Sequence, residues 1–560
     1  MIDTAHPGKL SKYLYLLIIP ITLCVYWTSL YGDFVSDDWP VIAENPFLRS
    51  YEFIPGFFTS GVWANSNIQV QSAPLYRPLY LIWCYAIYSI AGPDPFWFHA
   101  ALLIVHIFNS LLVYNLLKKI CPGSKSWAHF FCALMFALHP AQTQVVAWIS
   151  GGTDAVMLFF FLTGFLLYIK YISTNKKLYL TVGMAMFSVS LLIKETAAVF
   201  PALLILYDLW YRKGRKLLFS KRYAIFFGIL LIYLIFRAQI FHGTELTISL
   251  EGLPKLTEQF LLTFRYIIFP LDQPFYFNYP STGIIGSAGI ITGICAVLFV
   301  SVFFITISET RFGIAWAIIT LLPSLLLAFH PNGVFALRFL YAPLVGIAIM
   351  LCIIYDLTSQ HRPRVVKIVS LGIIIMMTFI TSKETSVWSD EKSFYAMVIE
   401  TDKSSVPGYD GLARYFSRNG NHMDTIATYQ LGINNVDDAQ GRILLTRKLA
   451  QYYANMGLYS KSLSSFEELN RLSPGGTAML GIANSLYMMG RVDEAMSAYR
   501  KAIMIDPENS LLLANFAQIN DSYGNKKEAI KYFERILNLP VEKTDQSALE
   551  MAKAYLRNVE

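Results

Sequence analysis

Long apolar runs, broken by short polar interruptions, fill the chain from Tyr13 to Thr381, and nothing after Thr381 resembles them. Most are close to the ~20 residues that a helix needs to cross a ~30 Å hydrocarbon layer. The pattern predicts a polytopic helical membrane domain over residues 1–385 and a polar tail over 386–560. Crossings are expected at 13–30, 96–117, 127–139, 154–173, 178–193, 196–211, 222–240, 284–307, 311–329, 339–356 and 365–381. The first run is read as a span, because no small-residue cleavage site of a signal peptide follows it.

Loop charge orients these spans. Arg212, Lys213, Arg215, Lys216, Lys221 and Arg222 crowd one short loop. Lys9 and Lys12, Lys118, Lys119 and Lys125, Lys176 and Lys177, and Arg362, Arg364 and Lys367 mark others as cytoplasmic. Satisfying all of them demotes Tyr76–Ala91 to an interfacial or re-entrant helix and removes Glu258–Pro270 from the count. About eleven spans remain, with the N-terminus inside and the tail outside. Asp37, Asp38, Arg77, His139, Asp154, Lys194, Glu195, His242, Arg265, Asp272, His330 and Arg338 then share the outer side. Ionisable groups at membrane depth are costly and face a cavity or one another, so an active site opening outward is expected. The plainer alternative is that outer loops carry ordinary polar residues.

The tail has a different grammar. "NMGLYSKSLSSFEELNRLSP", "MMGRVDEAMSAYRKAIMIDP" and "SYGNKKEAIKYFERILNLP" align at a period of about 34. Gly457, Gly490 and Gly524 are followed by small Ser462, Ala495 and Ala529. Aromatic Phe466, Tyr499 and Phe533 come next, then Pro474, Pro507 and Pro540. That order fits tetratricopeptide repeats, with a weaker copy near 408–436. Such arrays form an α-solenoid whose concave face takes a partner protein or acceptor peptide, or they serve as a passive scaffold. The whole chain is therefore expected to be all-α.

Composition excludes some classes. Of 560 residues, 55% are hydrophobic and 15% charged, and the net charge of +7 sits in short loops, so nucleic acid is not an expected partner. All six cysteines precede Thr381 and imply no disulfide framework.

"YGDFVSDDWPVIAENP" holds the paired acids Asp37 and Asp38. One can act as general base on an acceptor hydroxyl with its neighbour tuning it, both can join a divalent metal site, or one can cap the helix beginning near Val41. Asp154, Glu195 and Asp272 could complete a metal site but show no recognisable spacing. Arg77, in "APLYRPLYLIW", suits a phosphate headgroup that it grips through two parallel hydrogen bonds, or else snorkels to lipid. With Arg338, in "FALRFLYAP", it could clamp a phosphate and stabilise it as a leaving group. Asp154 could simply complement a helix dipole, and Lys194 with Glu195 could be an ion pair holding two helix ends. His139, Asp154, Lys194, Glu195, His330 and Tyr341 are the possible substrate contacts.

"FVSDDWPVIAENP", "YRPLYL", "FWFHAALLIVHIFNSLLVY", "ALHPAQTQVVAWISGGTDA", "LLIKETAAVFPALLILYDL" and "ALRFLYAP" occur in this order, with the repeats behind them. Together they resemble the transmembrane and tetratricopeptide-repeat O-mannosyltransferases and, more broadly, the GT-C glycosyltransferases. The resemblance implies a polyprenyl-phosphate monosaccharide donor and a catalytic acid in the first outer loop, Asp37 being matched to the first acid of the pair. It implies that Arg77 and Arg338 hold the lipid phosphate and that no metal or other cofactor is needed. The chain departs from the family at Gln144, where an acid is usual, and at Thr153, where an Arg is usual, so mannose is not implied. The expected activity is inverting transfer to an acceptor hydroxyl, Ser or Thr of a protein, on the outer leaflet. Alternatives are a lipid or polysaccharide acceptor, or a non-enzymatic membrane-anchored scaffold. The compact loops favour a bacterial inner membrane with periplasmic repeats over the endoplasmic reticulum with lumenal ones.

Overall fold

The computed structural model describes residues 13–66, 75–211, 221–241, 252–271, 308–329, 335–540 and 544–559. The expected span 284–307, most of the basic loop at 212–220, and His242, Asp272, Cys295 and His330 lie outside the described residues. The chain is helical throughout them and divides into two compact units, 1–394 and 395–560.

In the first unit the helices are α1 (Ile18–Val25), α2 (Pro78–Ala91), α3 (Pro95–Ile120), α4 (Ser126–Leu138), α5 (Thr153–Thr174) and α6 (Lys177–Ile193). They continue with α7 (Phe200–Tyr211), α8 (Lys221–Ile240), α9 (Gly252–Ile268), α10 (Ser308–Leu325), α11 (Pro343–His361) and α12 (Pro363–Trp388). Among the described residues, five helices are long and apolar enough to cross a membrane: Pro95–Ile120, Ser150–Thr174, Arg222–Ile240, Pro343–His361 and Pro363–Trp388. Leu14–Val25, Pro78–Ala91, Ser126–Leu138 and Lys177–Ile193 are shorter and apolar.

The expected first crossing at 13–30 is not one helix. It runs as 3₁₀ over Leu14–Leu17, as α1, and as 3₁₀ again over Trp27–Tyr31, where the Ser29 hydroxyl donates to the Tyr26 carbonyl at 2.7 Å. The final apolar helix α12 runs past residue 385, where the sequence puts the domain boundary, and stops at Trp388.

Helices that cannot gain from hydrophobic segregation in lipid associate through small residues that let backbones touch. Gly164 of α5 and Gly183 of α6 oppose each other, and a Cβ on either would lie 3.2 to 3.3 Å from the other's carbonyl oxygen. Gly313 of α10 and Gly346 of α11 are closer still: a Cβ on Gly313 would stand 2.7 Å from the Gly346 oxygen. Aromatic rings fill the space beside these crossings, with Phe161 edge-on to Phe200 at 4.8 Å and Phe165 edge-on to Trp316 at 5.1 Å.

The second unit is a stack of helix pairs. They are Val406–Arg418 with His422–Asn435, Ala439–Asn455 with Tyr459–Leu472, Gly476–Met488 with Val492–Ile505, and Ser510–Ser522 with Lys526–Leu537. The helix Gln546–Val559 follows and packs Ala548 and Ala552 onto the last pair. Each pair turns at a glycine in the left-handed region: Gly420, Gly457, Gly490 and Gly524 have φ of 71°, 71°, 77° and 80°. Gly420 shows that the weak copy is a complete repeat. Thr425 and Tyr429 occupy its small and aromatic positions, both buried, while Asp437 stands where the closing proline would be.

Gly346→Val should force α10 and α11 apart. The expected loss is about 1–3 kcal/mol, seen as a lower midpoint in thermal unfolding of the purified protein in detergent. An unchanged midpoint would rule out the close crossing.

Candidate active site

Helix α4 ends inside the protein. Pro140 cannot continue it, and residues 136–149 are all buried. A helix terminus leaves carbonyls unpaired, and in an apolar interior each must find a donor. The Gln142 amide donates to the Phe136 oxygen at 3.2 Å. His106 Nε2 lies 2.9 Å from the Ala137 oxygen, which also accepts from the Tyr26 hydroxyl at 3.3 Å. Thr381 Oγ1 donates to Leu138 at 2.8 Å. The chain then passes through the short turns Pro140–Gln142, Thr143–Val146 and Ser150–Gly152 before α5. Gly152 is required there, because a Cβ would run into the Leu102 side chain of α3.

The acidic loop docks on this buried segment. Asp38 is fully buried: Oδ2 accepts from the Val35 N–H at 3.1 Å and Oδ1 from the Ser150 N–H at 2.7 Å. The Trp148 indole N–H donates to the Val35 oxygen at 3.2 Å, and Ser36 has φ +54°, a strained left-handed residue immediately before the two acids. The far side of the loop is tied by Asp33 N–H to the Ser389 oxygen at 3.1 Å and by the Trp39 indole to Glu391 at 3.0 Å. The expectation that one acid caps the next helical turn fails for Asp38, whose carboxylate makes no cap bond to Trp39–Ala43. It reaches back and across instead. Asp37 is half-buried beside it. Burial, and to a smaller degree Asp37, push the Asp38 carboxyl up to about 7 against its two backbone donors.

The basic residues are distributed differently from expectation. Arg77 grips Glu195 as a fork, at 2.8 and 3.3 Å, so in this structure its guanidinium holds a carboxylate and does not snorkel. Lys194 pairs not with Glu195 but with Asp154, at 2.5 Å, which also removes the reading of Asp154 as a dipole charge alone. Burial raises the Glu195 carboxyl, but the Arg77 guanidinium outweighs it and brings the group down to about 2. Burial pulls the Lys194 ammonium down, and Asp154 partly restores it.

Arg338, half-buried, places its guanidinium carbon 5.0 Å from the Trp148 ring and 5.2 Å from the Phe339 ring. Its backbone N–H donates to Gln144 Oε1 at 3.3 Å. Trp148 thus touches both Arg338 and the loop that carries Asp37. Tyr80 lies between the acids and the ion pairs: its hydroxyl donates to the Ile149 oxygen at 2.5 Å, within electrostatic reach of Asp38 and Arg77.

Two expected contacts are occupied internally. His139 Nδ1 accepts from the Ala141 N–H at 3.2 Å and Nε2 lies 3.2 Å from the Ile267 oxygen, anchoring the end of α9. Tyr341 is fully buried; its hydroxyl donates to His106 Nδ1 at 2.8 Å and accepts from Asn109 at 3.1 Å. It fixes the turn that follows Arg338 rather than opening on a substrate space. Among the described residues no group of three or more His, Cys, Asp or Glu side chains gathers as metal ligands would. Sequence reasoning missed Trp148, Ser150, His106 and Asn109 as site-building residues, and marked Gln144 only as a departure from the family. All lie in the motifs quoted above, but only their partners, distant in sequence, reveal a role.

A bundle of apolar helices with buried ion pairs and a buried helix break, joined to a tetratricopeptide array, defines the class. A family model described as tetratricopeptide repeat matches residues 477–509. The chain is similar to a protein O-mannosyl-transferase of Caenorhabditis elegans, 23% identical over 432 residues, covering 74% of this chain and 61% of the relative. It is similar to Homo sapiens protein O-mannosyl-transferase TMTC1, 31% identical over 199 residues, covering 34% and 22%, and to human TMTC3, 25% identical over 204 residues, covering 36% and 22%. The chain resembles the transmembrane and tetratricopeptide-repeat O-mannosyltransferases, as its ordered motifs imply, and spans less than two thirds of the length of these relatives. Of solved structures, it is similar to MamA at 18% identity, over 31% of this chain and 94% of that one, with a TM-score of 0.24.

The buried Asp38 carboxyl titrates near 7 in the folded chain, against an ordinary 3.8. A raised value means that the folded state holds the proton more tightly, so the stabilisation is complete below the ordinary value and is lost as pH rises through about 7. Asp38→Asn should flatten the fall in melting temperature over that window. A variant with the wild-type slope would show that another group titrates.

Proposed function

We propose that the chain is a membrane glycosyltransferase that moves a monosaccharide from a polyprenyl-phosphate donor to an acceptor hydroxyl, Ser or Thr of a protein. What supports this most is the joining of three sequence-distant parts by Trp148 and Asp38: the acidic loop, the buried break after α4, and the Arg338 turn. Asp37 is the base. It takes the acceptor's proton while the hydroxyl oxygen attacks the anomeric carbon. The bond from that carbon to the phosphate oxygen breaks, the lipid phosphate leaves with the electron pair, and attack opposite the leaving group inverts the configuration. Arg338 and Arg77 meet the charge that develops on the phosphate. Asp38 holds the loop through the Val35 and Ser150 N–H groups, so the two acids divide catalysis and positioning between them. The donor is a monoanionic phosphodiester and the departing polyprenyl phosphate is a dianion, whose second charge the two guanidinium groups meet without a metal in this reading.

In this reading transfer takes place at the outer leaflet, and the repeats recruit the acceptor protein. The membrane proposed is the bacterial inner membrane, with the endoplasmic reticulum as the alternative; the relatives described are animal proteins.

Asp37→Asn should lower the turnover of a polyprenyl-phosphate sugar by about 10²–10⁴, the range of a lost general base, with expression and melting temperature kept. Radiolabelled sugar transfer by the purified protein measures this, and turnover at the wild-type rate would end the assignment.

A further inference from the structure

The two buried ion pairs beside the site are not equivalent. Lys194 and Asp154 have side-chain exposures of 3% and 7%, whereas Arg77 and Glu195 have 14% and 30%. Glu195 opens the single short 3₁₀ turn Glu195–Val199 between α6 and α7, a tight element with poorer hydrogen-bond geometry than an α-helix. Its carboxylate meets Arg77 through two oxygens, the geometry in which a guanidinium also takes phosphate.

Two hydroxyls next to this pair have no hydrogen-bond partner among the described residues. One is Tyr233 on α8, which is buried, lies with its ring 6.1 Å from that of Tyr76, and is within electrostatic reach of both Arg77 and Glu195. The other is Thr196, adjacent to Glu195. A buried hydroxyl without a partner costs free energy unless a ligand supplies one. A carboxylate and a phosphate cannot share one guanidinium in a low dielectric without strong repulsion.

We propose that Glu195 is a displaceable counter-ion occupying the phosphate seat on Arg77, and that the Tyr233 hydroxyl is a further ligand of the arriving phosphate. The inference rests on the donor reading above and adds an anion exchange to it: phosphate replaces the Glu195 carboxylate on Arg77 and accepts a hydrogen bond from Tyr233. The Lys194–Asp154 pair stays intact and holds the ends of α5 and α6 while Glu195 swings away.

The test uses the full chain in detergent and measures binding of undecaprenyl monophosphate and, separately, inorganic phosphate. Glu195→Gln removes the competitor and should tighten undecaprenyl monophosphate about tenfold. Tyr233→Phe should weaken it severalfold, with the melting temperature held. Glu195→Asp, which keeps the charge but shortens the reach, should fall between wild type and Gln and serves if the Gln variant does not accumulate. Tightening for inorganic phosphate alone would mean an anion seat unrelated to lipid and would overturn the lipid-phosphate assignment. If Arg77→Lys weakens binding but Glu195→Gln leaves it unchanged or weaker, the exchange is wrong and the donor reading stands. If Arg77→Lys has no effect, Arg77 is not in the donor site and both fail.

Discussion

The structure of the first unit depends on the need to pair backbone groups where α4 stops inside an apolar interior. Three carbonyls in succession, Phe136, Ala137 and Leu138, would each be stranded. Their donors come from the break itself, from α3, from the end of α1 and from α12, so one short helix end draws four elements together. His106 serves twice: with its Nε2 proton committed to Ala137, its Nδ1 is left to accept from Tyr341. That second bond sets the turn bearing Arg338. A packing requirement thereby becomes a positioning device.

The same rule explains the acid pair. Asp38 is expensive to bury, and it stays because it accepts from two N–H groups that have no helix to join. The strained Ser36 is held by this clamp and by Trp148 on the neighbouring carbonyl. Adjacent carboxylates of identical chemistry thus acquire different tasks, because one is enclosed by backbone donors and the other is only half-buried beside it. Around Arg77 and Lys194 the charges are neutralised in pairs. The pair with greater exposure and unpartnered hydroxyls beside it is the one suited to change partners.

Much of the fold was legible. Apolar run length picked out the helices Pro95–Ile120, Thr153–Thr174 and Pro343–His361, because a run of that length is itself the physical requirement for spanning lipid. The repeat glycines were equally direct, since the left-handed turn at Gly457, Gly490 and Gly524 tolerates little else. The first apolar run misled, because hydropathy does not distinguish α from 3₁₀ backbone.

The site was legible only in its membership. Residue type and order marked Asp37, Asp38, Arg77, Asp154, Lys194, Glu195 and Arg338 as polar groups too costly to be incidental. The sequence determined which groups must find partners, because desolvation belongs to the residue and its apolar surroundings. Only the tertiary structure decided the partners: Lys194 with Asp154 rather than its neighbour Glu195, Arg77 with Glu195, and Asp38 with Ser150. Hydrogen bonds and ion pairs act over a few ångströms, and helix packing sets that spacing within these three pairs, whose members lie 40 to 118 positions apart.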